Sequence, residues 1–211
     1  MSTTNDARFW DRASRKYARS AIADQAGYER TLDRALGLLA PDDRVLELGC
    51  GTGTTALRLA AGVKSYLATD ISPEMIAIAN ERYAGNPVPG LVFDTATAES
   101  VKSGPSGFNA ALGFNYLHLV RDLPGTLSQI HALLAAEGLF VSKTPCIGDM
   151  NVLIKLALPV MRAIGKAPYV GVFRETELKQ RISTAGFEIL AMENHATKGS
   201  GFRPYIVARK R

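Results

Sequence analysis

Residues Val45 to Gly53 read V-L-E-L-G-C-G-T-G, a short apolar stretch with one acid that continues into a loop with glycine at alternate positions. Glycine has no Cβ and tolerates positive φ, so this loop can turn sharply and let a ligand lie against its backbone. A second apolar run ends at Asp70, 23 positions after Glu47. That spacing predicts an acid at the tip of the neighbouring parallel strand, where its carboxylate can bind a ribose diol.

The composition is that of one globular domain. The chain has 211 residues, 46% of them hydrophobic and 21% charged, so we expect a single domain over residues 1–211. No apolar stretch approaches the roughly 20 residues that cross a bilayer, and the N-terminus lacks an apolar signal core, which predicts a cytoplasmic protein. Cys50 and Cys146 have no metal-type spacing, so we expect reduced thiols and no metal site.

The positive net charge does not follow one stripe of the sequence. The formal charge is +5 at pH 7, and basic residues concentrate in 155–181 and after Lys198. We interpret them as a solvated surface and expect no nucleic-acid partner. An acidic substrate or an anionic surface is the alternative that the sequence leaves open.

Apolar runs of strand length alternate with segments of helical spacing. This alternation predicts a doubly wound, Rossmann-like α/β fold, mostly parallel, with helices on both faces of the sheet. A helix over Glu175 to Ala185 precedes two closely linked strands, which predict a C-terminal antiparallel hairpin with a turn at 199–201. The predicted strands are Arg44–Leu48, Val63–Thr69, Leu91–Ala96, Asn109–Asn115, Leu139–Lys143, Phe187–Glu193 and Arg203–Arg209.

Within the single domain, four parts are predicted. Residues 1–40 form an N-terminal helical lid, 41–144 the cofactor-binding core, 145–173 a substrate-cap insertion and 174–211 the final helix and hairpin. The insertion has apolar residues at helical spacing with Pro159 among them, which predicts a kinked helix with a basic rim. A cap over the acceptor is favoured, while contact with an anionic membrane and dimerisation are alternatives, so the protein is expected to be a monomer or a homodimer.

The glycine loop fits two ligand classes. From Gly51 to Ala56 the sequence also satisfies the dinucleotide fingerprint G-x-G-x-x-G/A, which would indicate an NAD(P)-dependent oxidoreductase. The first glycine of that fingerprint should follow the strand directly, whereas Gly49 and Cys50 intervene here. A non-catalytic nucleoside-binding domain is a third interpretation.

The whole chain, from Phe9 to Lys210, resembles the class I S-adenosylmethionine-dependent methyltransferases, in particular their small single-domain type. This resemblance implies S-adenosylmethionine as cofactor, S-adenosylhomocysteine as product, and methyl transfer by in-line displacement to a small acceptor, with an apolar or lipid-like molecule as the expectation. The motifs that carry it, in family order, are Glu47–Gly53, Ala68–Ser72, Ala96–Glu99, Phe108–Leu112 and Leu133–Val141. Thr97 and Asn109 depart from it, because the family usually has aspartate at both positions.

The resemblance also implies roles for single residues. Glu47 would orient the cofactor's ammonium group and Asp70 would accept its ribose hydroxyls. The other implied cofactor contacts are Gly49, Cys50, Gly51 and Gly53 in the loop, Ile71 and Met75 beside adenine, Thr97, Ala98 and Glu99 in the third motif, Asn115 after strand four, and Trp10 and Tyr17 in the lid. The alternatives are a helix cap for Asp70, an indirect contact for Glu47 and core packing for Ile71 and Met75.

Methyl transfer needs mainly positioning, because the sulfonium already makes the methyl group electrophilic. The catalytic residue is therefore left unassigned. His118, near the carboxyl end of strand four, is a weak candidate for a general base, and packing against the following helix is the alternative. His131 is expected on a helix surface, and His195 is assigned no role.

Overall fold

The computed structural model describes residues 3–198 and 201–211, and these form one seven-stranded sheet flanked by helices. The predicted turn at 199–201 lies largely outside the described residues. The strands are β1 (Arg44–Leu48), β2 (Ser65–Asp70), β3 (Leu91–Thr95), β4 (Phe108–Phe114), β5 (Leu134–Lys143), β6 (Phe187–Glu193) and β7 (Tyr205–Lys210). The α-helices are α1 (Thr3–Arg19), α2 (Gln25–Leu36), α3 (Thr54–Leu59), α4 (Pro73–Gly85), α5 (Leu123–Leu133), α6 (Val152–Ala163) and α7 (Glu175–Thr184).

The sheet has the order β3-β2-β1-β4-β5-β7-β6. The first five strands are parallel, and β7 runs antiparallel to both β5 and β6. The predicted fold class and terminal hairpin are thereby confirmed. Because β1 lies between β2 and β4, its carboxyl end is a point where the strand order reverses, and open α/β sheets bind ligands there.

Each face of the sheet has its own apolar core, as alternating side chains of buried parallel strands require. Leu46 of β1 lies in a cluster with residues of α5 and α7, whereas Val45 lies in a cluster with residues of α2 and α3. All strand residues of β1 after Arg44 are buried. The sheet is thus a rigid support for the loops at its carboxyl edge.

Side-chain caps fix where two helices of this edge begin. The Ser72 hydroxyl accepts the Met75 N–H at 3.1 Å, and Pro73 supplies a preset φ at the first turn of α4. Asp122 caps α5 in the same way through the Gly125 N–H. These two caps fix the starts of α4 and α5 beside the carboxyl ends of the strands.

The boundary between α5 and β5 differs from the prediction. The helix ends at Leu133 and the strand begins at Leu134, five residues before the predicted start at Leu139. Leu134 already pairs with Phe108, after which the register shifts and Glu137 adopts a left-handed φ of 60°. The strand therefore starts early and contains an irregularity before it reaches the predicted segment.

Candidate functional site

One cavity of about 700 Å³ opens at the carboxyl ends of the central strands. Its wall combines the loop after β1, the tip of β2, the segments after β3 and β4, and the helix α1. The lining residues that the sequence predicted are Trp10, Tyr17, Gly49, Gly51, Asp70, Ile71, Met75, Thr97, Glu99, Asn115 and His118. Glu47, Cys50, Gly53 and Ala98 do not line it.

The glycine loop adopts the backbone conformation that its sequence predicts. Gly49, Gly51 and Gly53 have φ values of 70°, 54° and 76°, which residues with a side chain rarely adopt. A Cβ at Gly49 would lie 2.8 Å from the ring of Tyr116. The Gly51 N–H donates to Asp70 and the Gly53 N–H to the Cys50 carbonyl, so the loop is closed by its own hydrogen bonds.

Asp70 joins the glycine loop to the start of α4. One of its carboxylate oxygens accepts the Gly51 N–H at 2.9 Å, and the other accepts the Ser72 N–H at 2.9 Å. The side chain is buried, and this burial raises the pKa of Asp70. Each carboxylate oxygen has a second acceptor site, so the two backbone bonds leave capacity for a diol.

Glu47 lies beneath the loop rather than in the cavity wall. It is 3% exposed, and its carboxylate accepts the Tyr66 hydroxyl at 2.9 Å. Burial, with a smaller contribution from Asp70, raises the pKa of Glu47 to about 7. The Cys50 thiol is buried nearby, and its pKa is also raised by burial, so it is not a reactive thiolate.

The N-terminal helix covers one side of the cavity. Trp10 and Tyr17 of α1 line it and pack edge to face, with ring centroids 6.2 Å apart. Asp11 of the same helix accepts the Ser72 hydroxyl at 2.6 Å. Asp6 forms two hydrogen bonds with Arg121, at 2.7 and 2.8 Å, which attach the helix to the opposite wall.

The third and fourth motifs have other contacts than their family pattern implies. Thr97 and Glu99 line the cavity, and the Glu99 carboxylate accepts the Thr126 hydroxyl at 2.8 Å. Ala98 is fully buried in the core and does not line the cavity. Asn109 accepts the Arg44 N–H at 2.8 Å, which joins β4 to the start of β1 far from the cavity.

The three histidines have different environments. His118 lines the cavity, its Nδ1 is buried without a hydrogen-bond partner in the described part of the chain, and burial together with Arg203 lowers its pKa to about 4. His131 does not lie freely on a surface: its ring packs edge to face on Phe187. His195 is buried, with hydrogen bonds to Glu193 at 2.9 Å and Thr31 at 3.2 Å.

Several wall residues were not found from the sequence. Of the insertion 145–173, only Pro145 reaches the cavity, and the apolar residues of α6 are exposed instead. Arg121 and its neighbours directly follow the predicted site at Asn115 and His118, so their nearness in the chain was an available signal. The lining residues that were missed are Asp6, Leu48, Ala96, Phe114, Tyr116, Leu119, Val120, Arg121, Asp122, Thr126, Pro145 and Arg203.

A family model described as a methyltransferase domain matches residues 15–192, which is most of the chain. The chain belongs to this methyltransferase family. Members of the family use S-adenosylmethionine, so the predictions of a class I methyltransferase and of its cofactor are confirmed. The oxidoreductase and the non-catalytic domain are the weaker interpretations on this ground.

Curated relatives match parts of the chain. A methyltransferase of Mycobacterium tuberculosis, described as uncharacterized, is 34% identical over 94 residues, 44% of this chain and 46% of its own length. The mitochondrial arginine-hydroxylase NDUFAF5 of Danio rerio is 26% identical over 82% of this chain and 56% of its own. The highly reducing polyketide synthase lcsB of Purpureocillium lilacinum is 31% identical over 56% of this chain and 5% of its own. The chain therefore spans about half of these relatives' length or less.

Solved structures agree in fold. Magnesium protoporphyrin IX methyltransferase of Synechocystis PCC 6803, crystallised with bound S-adenosylhomocysteine, superposes with a TM-score of 0.75 at 15% identity and covers 99% of both chains. An S-adenosylmethionine-dependent methyltransferase of Thermotoga maritima superposes with a TM-score of 0.70 at 21% identity, over 97% of this chain and 99% of its own. At this level of identity the likeness concerns the fold.

Residues 3–198 and 201–211 contain no group of three or more His, Cys, Asp or Glu side chains placed to hold a metal ion. Over the same ranges, none of the helices combines the length and the apolar character that crossing a bilayer requires.

Proposed function

We propose that this methyltransferase acts on a small organic molecule with an apolar body, and that the cavity holds donor and acceptor side by side. The supporting observation is the composition of the cavity wall. Acidic and polar groups cluster near the glycine loop, and Trp10, Phe114, Val120 and Pro145 provide apolar surface beyond it. At about 700 Å³ the cavity is within the usual size range of small-molecule sites.

The predicted cofactor residues fit this assignment. Gly49 and Gly51 present a surface without side chains to the methionine part of the cofactor, and Asp70 has free acceptor capacity for the ribose hydroxyls. Ile71 and Met75 supply apolar contacts for adenine beside Thr97 and Glu99. The side chains of Cys50 and Ala98 do not reach the cavity, and Gly53 has none. These three residues would contribute to the cofactor site only through the backbone shape of their loops.

Glu47 has an indirect role in this proposal. Its buried carboxyl group lies under the loop, and its pKa of about 7 means that it titrates near neutral pH. A cofactor ammonium bound above the loop would favour the ionised form, so cofactor binding would release a proton from Glu47. The interaction thus acts through the loop and not by direct contact across the open cavity.

The bound cofactor supplies an electrophilic methyl group, and the protein supplies position and exclusion of water. Trp10 and Tyr17 cover the reacting region, and the Asp6–Arg121 ion pair holds their helix against the opposite wall. His118 is neutral at physiological pH, because burial and Arg203 lower its pKa to about 4, and this low basicity disfavours proton abstraction by its ring. It stays the weak candidate for a general base.

Helix α6 of the insertion 145–173 is the part of the chain for which we propose a role in covering the acceptor. Helix α6 presents exposed apolar side chains at Leu153, Leu156 and Val160 between basic residues. It is proposed as a cap that folds over the acceptor, with peripheral membrane contact or a homodimer contact as its alternatives. We retain a cytoplasmic location and the absence of a nucleic-acid partner as expectations.

Cofactor titration tests the proposal. S-adenosylhomocysteine should quench or shift the fluorescence of Trp10, the single tryptophan of the chain, whereas NAD should not. Incubation with labelled S-adenosylmethionine and a metabolite extract should then yield a labelled small molecule. Tight NAD binding with no response to S-adenosylhomocysteine would contradict the proposal.

A further inference from the structure

Two arginines line the cavity, and they differ in their partners. Four carboxylates line the cavity, and each has a partner within the protein. Asp6 pairs with Arg121, and Asp70 accepts two backbone N–H groups. Glu99 accepts the Thr126 hydroxyl, and Asp122 accepts the Gly125 N–H. Of the two arginines in the wall, Arg203 forms no salt bridge with any residue of the described ranges.

Arg203 is fixed at a defined place on the sheet. The ladder between β5 and β7 continues beyond the strands, because the Cys146 N–H donates to the Phe202 carbonyl at 2.8 Å and the Thr144 N–H to the Pro204 carbonyl at 3.4 Å. These two bonds flank Arg203 and place it opposite Pro145, another wall residue. The guanidinium thus projects from a hydrogen-bonded backbone.

The position of Arg203 separates it from the cofactor residues. The glycine loop follows β1, and β4, β5 and β7 come next in the sheet. Three strand spacings of about 4.8 Å put the β7 side about 14 Å from β1 and farther from Asp70 on β2. The backbone of Arg203 therefore lies on the β7 side of the cavity, which we take as the acceptor end, and its charge reaches Tyr17 of α1.

A second cation, which does not line the cavity, lies near Arg203. Lys143, at the end of β5, donates to the Gly27 carbonyl at 3.3 Å and to the Thr31 hydroxyl at 2.7 Å, both neutral groups. Burial and Arg203 both lower the pKa of Lys143, and Arg203 also contributes to the low pKa of His118. Arg203 and Lys143 thus lie close enough for their charges to interact, and Asp24 is the acid whose charge acts on Lys143.

We propose that Arg203 binds an acidic group, a carboxylate or a phosphate, on the methyl acceptor and thereby selects apolar or aromatic acids as substrates. This inference rests on the methyl transfer proposed above, because it takes the far end of the cavity as the acceptor site. A guanidinium pairs with either group through two parallel hydrogen bonds, which orients the acceptor as well as holding it. The apolar body of the acid would lie against Phe114 and Pro145.

The test compares matched acid and neutral probes. Protein saturated with S-adenosylhomocysteine is titrated with benzoate and benzamide, and with phenyl phosphate and phenol, by calorimetry. We expect each acid that fits to bind about 10-fold or more tightly than its neutral counterpart. The two pairs distinguish a carboxylate site from a phosphate site.

Variants assign the preference to one residue. Arg203→Gln should remove the preference for the acid while leaving the affinity for S-adenosylhomocysteine within about twofold, and Arg203→Lys should restore part of it. Arg30→Gln, at an exposed arginine of α2 outside the cavity, should behave as the wild type. In NMR spectra, saturation with the acid should raise the pKa of His118 from about 4 in the wild type but not in Arg203→Gln.

Each failure has its own meaning. Absence of S-adenosylhomocysteine binding would contradict the proposed function itself. Normal cofactor binding would leave that function standing, while three other results would each overturn the role of Arg203. These are equal binding of acid and neutral probes, an acid preference that persists in Arg203→Gln, and no binding of either acid at millimolar concentration.

Discussion

Replacing the buried acid Glu47 by glutamine should make the protein more stable at neutral pH and a poorer binder of its cofactor. The pKa of Glu47 is about 7 in the folded protein against 4.5 for the ordinary side chain. An acid whose pKa is higher in the folded than in the unfolded protein does not lower the free energy of unfolding below pH 4.5, where it is protonated in both states. The free energy of unfolding then falls as the pH rises from 4.5 to about 7, and it is constant above that.

The size of the effect follows from the two pKa values. At about 1.4 kcal/mol for each pH unit, ionisation of Glu47 lowers the free energy of unfolding by about 3 kcal/mol, and most of this change develops between pH 5 and pH 8. Glutamine retains the shape and can still accept the Tyr66 hydroxyl, but it does not ionise. The free energy of unfolding of Glu47→Gln should therefore rise relative to the wild type over that interval.

Urea unfolding at half-unit pH steps measures this difference for the protein without cofactor. Calorimetry with S-adenosylhomocysteine at pH 8 should show the opposite sign, with about 10-fold weaker binding, because the charged partner of the ammonium group is lost. Tyr66→Phe is the matched control: it removes the hydrogen bond that lowers the pKa of Glu47, so the decline of its stability should begin at the same pH as in the wild type and continue to higher pH. Parallel stability curves for wild type and Glu47→Gln would refute the reasoning.

Three further changes probe the cofactor end of the cavity. Asp70→Ala should weaken S-adenosylhomocysteine binding about 10- to 150-fold, as calorimetry would measure, and unchanged affinity in a folded variant would rule out the ribose contact. Gly49→Ala, with φ at 70° and a Cβ 2.8 Å from the Tyr116 ring, should lower the free energy of unfolding by about 1 to 3 kcal/mol. Thermal unfolding measures this change, and Gly37→Ala is the control: φ at Gly37 is −69°, so this substitution should leave the stability unchanged or raise it. Asp6→Asn should increase proteolysis of α1, because it removes the ion pair with Arg121; identical proteolysis would exclude a holding role for the ion pair.

The cofactor half of the site was predictable because its signals are local. Gly49, Gly51 and Asp70 belong to motifs whose spacing encodes a strand, a turn and the tip of the next strand. Short-range rules of backbone conformation are enough to place them. The role of the Glu47 carboxylate was less visible, because its contact with Tyr66 depends on the register between β1 and β2.

The acceptor half required information that the sequence does not carry locally. The hairpin was predicted, but the position of β7 between β5 and β6 was not, and that position brings Arg203 to the cavity. His195 was given no role, since its partner Thr31 lies 164 residues away. The start of β5 was misplaced because apolar residues near Leu134 suit a helix and a buried strand equally.

The late position of β7 in the chain has a consequence for synthesis. Ribosomes deliver β5 about sixty residues before its antiparallel neighbour Tyr205–Lys210 emerges, so a nascent chain exposes an unpaired edge at β5 throughout that interval. The glycine loop and its strands can form during this time, whereas the far wall of the cavity cannot. A truncated product of translation would thus be a donor-binding protein with an open, aggregation-prone edge, and the complete enzyme would arise only with the last strand.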